Sequence, residues 1–215
     1  MTATPPPLPE IGRVRANSPA CVVLRDIVIP SFSAVRRGDD RFRATRAHLV
    51  AYARINGDPF DRTSVSRDAA LAQIDRDAAA LLSEEQVLNR ALGDPRIAES
   101  VSDPQVITLR AQLQALFATQ YDRAVAVLRF SLPTRAGAMR EEDGGSAFDR
   151  RSDAPTPVPL PSGVSRSIPN FPALHGIGMQ DQDIVRQWAD DTDRIIVPVE
   201  DQALRTTAAI AETCR

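Results

Sequence analysis

Two histidines, two cysteines and a handful of acidic clusters are the residues whose types could carry chemistry in this chain. His48 and His175 have no acidic or histidine partner three or four residues away, the spacing that puts two ligands on one helix face, so neither a metal site nor another cofactor is expected. Asp190-Asp191-Thr192-Asp193 lacks the glycine and terminal glutamate of a calcium loop and reads as an arginine-paired helix face. Glu84 and Glu85 have no carboxylate partner placed for glycosidase or di-iron work. No Gly-x-Ser-x-Gly elbow occurs, and a phosphate loop needs a lysine that the chain lacks. Leu174-His175-Gly176-Ile177-Gly178 is the remaining candidate, because two glycines beside a histidine permit close approach to a ligand. The ligand-binding candidates are therefore His175, Trp188, His48 and Phe171, and no catalytic residue is assigned. His48 reads as a packed or rim histidine level with Trp188. Arg37-Gly38-Asp39 resembles an adhesion tripeptide by letters alone.

The elements that must position these residues are helices. Ser18-Pro19 is an N-cap followed by proline in the first turn. Cys21, Leu24, Val28, Val35, Phe42, Leu49 and Tyr52 then recur at helical spacing until Asn56-Gly57, with a bend expected near Pro30. Leu71, Ile74, Ala78, Leu81, Leu88 and Leu92 mark a second helix, expected to end with Gly93 in a left-handed conformation. Asp103-Pro104 opens a third, carried by Val106, Leu109, Leu113, Leu116, Ala124 and Val127 to about Ser131, before Pro133. From Asp181 a fourth carries Ile184, Trp188, Ile195, Val199, Ala203 and Ile210, with a kink expected at Pro198. No run alternates as a strand would. The predicted fold is all-α: an antiparallel up-down-up-down four-helix bundle spanning 18–215, behind an extended proline-rich tail at 1–17. A long irregular loop at 143–180 joins helices three and four. Its first half is expected to be mobile, and 168–174 to pack back on the body, leaving a candidate pocket under 168–180.

An antiparallel bundle brings Cys21 and Cys214 to one end, where they can form a disulfide; two buried free thiols are the other reading. The bridge would set the register of helices one and four, so that facing residues have numbers summing to about 235. Residues 18–57 carry a net charge of +4, residues 181–215 carry −4 and residues 58–93 carry −3. The Arg36–Arg46 cluster is accordingly expected to face Asp190–Asp193 and to be neutralised internally.

Composition bounds the function. The 215 residues carry 26 basic and 28 acidic groups, every basic one an arginine, for a formal charge of −2. That balance lacks the basic excess of a nucleic-acid binder. The longest uncharged run, Ser167–Gln180, falls short of the ~18 apolar residues of a transmembrane helix. A disulfide implies an oxidising compartment, and Thr2-Ala3-Thr4-Pro5-Pro6-Pro7 reads like the start of an exported chain. The function read from the sequence is a non-enzymatic, exported (periplasmic or extracellular) helical bundle that binds or assembles with a protein or small-molecule partner. The alternatives are a small-molecule binder or enzyme using the pocket under 168–180, and a cytoplasmic adaptor with reduced cysteines.

Overall fold

The computed structural model describes residues 7–57, 66–100, 102–142, 171 and 180–215. All regular structure among them is helical. A 3-10 turn (Ile11–Arg13) leads to α1 (Pro19–Val23), a π-helical turn (Leu24–Val28) and α2 (Ile29–Gly57). Then follow α3 (Arg67–Leu92), a short α4 (Pro95–Glu99), α5 (Pro104–Glu142) and α6 (Gln180–Thr213).

The helix starts follow their capping chemistry. Ser18 Oγ accepts from the Cys21 amide, Ser66 Oγ from Ala69, Asp94 from Arg96, and Asp103 from Gln105 and Val106. Where a bend is expected at Pro30, the structure shows a change of hydrogen bonding in the turn before it. Proline has no N–H and its ring crowds the preceding turn, and here that turn widens, with the Ile29 amide bonding back to Leu24. Ser31 Oγ donates to the Ile27 carbonyl at 2.7 Å in the same region.

Two expectations are corrected. Gly93 does close α3, but at φ −84°, outside the left-handed region, and its amide bonds the Asn89 carbonyl. The following Asp94-Pro95, which caps and opens α4, accounts for the stop. The helix expected to end near Ser131 continues through Pro133 to Glu142. One proline removes one ladder bond, and the sequence beyond it (Ala136, Ala138, Met139, Arg140, Glu141, Glu142) is rich in good helix formers.

Helix α2 packs against α3 and α6, and α5 against the same two. Arg37 meets Glu84 and His48 meets Asp77, so numbers fall along α3 as they rise along α2. Cys21 bonds Cys214 with Cα atoms 5.6 Å apart, and Arg46 meets Asp190 at 2.8 Å, which fixes α6 antiparallel to the α1–α2 rod in the register expected from the cysteines.

The described part of the proline-rich segment, from residue 7 on, lies across the disulfide end. Val14 is buried, and the Arg15 and Ala16 amides both donate to the Cys214 carbonyl. The mobility expected of 143–165 and the disposition of 168–170 and 172–179 lie outside the described residues.

The buried apolar residues form two clusters. One, at the disulfide end, gathers Leu24, Val28, Phe32, Leu88, Ile97, Leu109, Leu113 and Ile210 around the cysteines. The other gathers Phe42, Leu49, Tyr52, Ile74, Leu81, Val127 and Trp188.

Candidate functional site

Between the two apolar clusters lies a layer of polar side chains. It occupies the gap between Val35 and Phe42 on α2, Phe117 and Ala124 on α5, and Ala189 and Ala203 on α6. At its centre is Arg123 of α5, only 2% exposed. Its Nη1 donates to Asp39 Oδ1 of α2 at 2.6 Å, and its Nη2 to Asp193 Oδ1 of α6 at 3.3 Å. The guanidinium carbon stands 4.3 Å from the Phe42 ring centroid, a cation–π contact of a buried arginine. Gln120, one turn earlier, donates from Nε2 to Asp39 at 3.4 Å and to Glu200 at 3.2 Å, and accepts from Arg123 at 3.4 Å.

Gly38 makes room for this arrangement. A Cβ there would stand 2.9 Å from Gln120 Oε1, closer than real Cβ atoms approach. The Arg37-Gly38-Asp39 tripeptide is therefore a packing element: Gly38 is buried, Asp39 holds Arg123, and Arg37 reaches Glu84. Burial, and next the neighbouring Asp39 charge, push the Glu200 carboxyl up to about 8, with Arg123 pulling the other way. On α3, between Leu81 and Leu88, burial also raises Glu85 above its ordinary value.

A second polar group joins α2 to α3. His48 Nδ1 lies 2.6 Å from Oδ2 of the fully buried Asp77, whose other oxygen accepts from Gln73 Nε2 at 3.0 Å and has Arg41 at 3.7 Å. This fixes the imidazole through one nitrogen.

The sequence candidates separate accordingly. Trp188 is buried, edge-on to Phe42 at 5.4 Å, and Phe171 packs on it at 4.4 Å and on Phe130 at 4.9 Å. Trp188 and Phe171 therefore come together, as the reading of a docked apolar segment requires of Phe171. His48 does not join them. It turns to α3, and Phe42 is the α2 residue that meets Trp188. His175 lies outside the described residues. A cavity of about 300 Å³ does occur at the other end, between the Pro7–Val14 segment and the last turns of α6, lined among others by Leu8, Val14, Ala208 and Ala211.

The charge expectation is corrected in part. Of the Arg36–Arg46 cluster, Arg46 reaches Asp190, while Arg37 and Arg41 turn to Glu84 and Asp77 of α3, and Arg43 to Asp40 of its own helix. Asp191 pairs with Arg194, and Asp193 with Arg123. The reason is geometric: α2 is flanked by two acidic helices, and arginines on its two sides reach different ones.

No group of three metal-ligating side chains occurs among the described residues, and no helix there is long and apolar enough to cross a membrane. Comparison of the chain with protein-family models, curated proteins and solved structures finds no match. The site must be read from its own geometry.

Proposed function

We propose that the chain is an up-down-up-down antiparallel four-helix bundle that works in an oxidising, periplasmic or extracellular compartment as a non-enzymatic binding or assembly module for a protein or small-molecule partner. The bundle reading is supported by the neighbour order, with α2 and α5 each packed on α3 and α6. The observation that carries the compartment is the Cys21–Cys214 bridge. Both sulfurs belong to buried residues, and the Cys214 carbonyl anchors the N-terminal segment, so the covalent joint is built into the end of the fold. The non-enzymatic reading is supported by how the internal ionisable groups are used. Arg123 is engaged with Asp39 and Asp193, and Asp77 with His48, which are pairings that hold helices together.

One observation favours a second reading, a small-molecule binder near 168–180: Phe171 rests on Trp188 and Phe130, so an aromatic floor adjoins that segment.

Fractionation of the source cells tests the first reading. The chain is expected in the envelope or the medium, and recovery in the cytosol alone would overturn the assignment. For the second reading, a Trp188→Phe variant that binds a small aromatic probe as well as the unaltered chain would remove the aromatic floor from consideration.

A further inference from the structure

Where α2, α5 and α6 meet, the protein gathers more acid than base. Asp39 comes from α2, Asp193 and Glu200 from α6, and the one cation among them is Arg123 of α5. The guanidinium bonds the two aspartates, while Glu200 accepts from the Gln120 amide, which also donates to Asp39. One amide nitrogen, Gln120 Nε2, thus reaches Asp39 Oδ1 at 3.4 Å and Glu200 Oε1 at 3.2 Å, which holds two carboxyl groups side by side, and like charges so close disfavour ionising both. Two residues before Glu200, Pro198 interrupts the α6 backbone ladder, since it has no N–H to offer the Arg194 carbonyl. The helix therefore lacks one ladder bond beside Glu200.

We propose that this cluster is a proton-operated latch: the proton on Glu200, held beside Asp39 by the Gln120 amide they share, keeps α6 against α2, and its loss to alkaline solvent lets α6 part from α2 around Pro198. Deprotonation leaves three carboxylates on one guanidinium, a surplus of two negative charges inside the seam. The groups that face Glu200 are Asp39 from α2, Gln120 and Arg123 from α5, and Asp193 on its own helix; only Arg123 opposes the surplus. Glu200, raised to about 8 in the fold from an ordinary 4.5, binds its proton more tightly folded than unfolded. Its contribution to stability is thus complete below about pH 4.5, declines as the pH rises, and is gone once the pH passes about 8.

Amide exchange on the intact, oxidised chain at about pH 6 and pH 9.5, corrected for intrinsic rates, tests the latch. Protection across 193–204 is expected to fall by roughly tenfold or more in the alkaline sample while 70–82 on α3 holds. Glu200→Gln, which keeps the neutral shape, is expected to abolish that fall, and Asp39→Asn to reduce it. Unchanged protection in the unaltered chain, or the same fall in Glu200→Gln, would overturn the proposal. Carbon-13 titration of the Glu200 carboxyl in the unaltered chain gives a readout that no variant's folding can compromise. A midpoint near 8 supports the latch, and one at the ordinary 4.5 rejects it.

Discussion

The half of the molecule around Cys21 and Cys214 and the half around Trp188 are built from the same long helices but are closed by different means. At the cysteine end the core is aliphatic, the chain ends are covalently joined, and the N-terminal segment is bonded to the Cys214 carbonyl. At the other end aromatic rings meet edge to face, and polar contacts link the helices: Arg123 to Asp39 and Asp193, His48 to Asp77, Arg46 to Asp190. A disulfide acts mainly by restricting the unfolded chain; it sets the level at which α6 meets the α1–α2 rod but does not choose which side chains pair along the seam. Directional polar pairs contribute modest net stability but reject wrong registers, because a shifted register leaves charges buried without partners. The first half thus supplies stability and the second supplies specificity.

That division can be broken experimentally, beginning where the effect is largest. Replacing both cysteines by alanine opens a bridge between residues 193 apart. It is expected to cost about 5 kcal/mol in the chain-entropy treatment, read as a lower urea midpoint. Arg123→Ala should cost about 1–3 kcal/mol, by stranding Asp39 and, less so because it is more exposed, Asp193. In the background Asp39→Asn/Asp193→Asn the same change should cost clearly less, since the stranded charges are gone. An equal loss in both backgrounds would mean that Arg123 acts by packing on Phe42.

Gly38→Ala sharpens the picture of the polar layer. Alanine gains about 1 kcal/mol of helix propensity, but its Cβ displaces a Gln120 amide whose hydrogen bonds are worth about 1 kcal/mol each. A net loss of about 1 kcal/mol is expected, with the sign reversing once Gln120→Ala has removed the obstacle. Arg46→Ala, which severs a partly exposed pair, should cost about 0–1 kcal/mol, and the difference should vanish in high salt.

Much of the helical content was legible because periodic apolar residues and Ser-Pro or Asp-Pro starts report local energetics. The disulfide was legible because antiparallel rods turn residue number into height. The site was less so. His48 has no partner within its own helix, whereas Asp77 lies across the α2–α3 seam; the level match of Arg37 with Glu84 and of His48 with Asp77 appears only once those helices are paired. The polar layer had left a signal: the apolar stripes skip from Val35 to Phe42 and from Leu116 to Ala124, and Asp39 and Gln120 occupy those gaps. A skipped position in a stripe is ambiguous until the partner helices show that the gaps coincide. The widened turn before Pro30 and the continuation past Pro133 depend on how neighbouring turns absorb a missing N–H, which residue type alone does not determine.

The bond between Cys21 and Cys214 is expected to be present in the working protein. That expectation is tested most directly by quenching source cells in acid, alkylating free thiols and determining by mass spectrometry how Cys21 and Cys214 are recovered. The account predicts a single linked peptide pair with no appreciable alkylation of either residue. Recovery of both cysteines as alkylated free thiols would contradict it, and with it the assignment to an oxidising compartment.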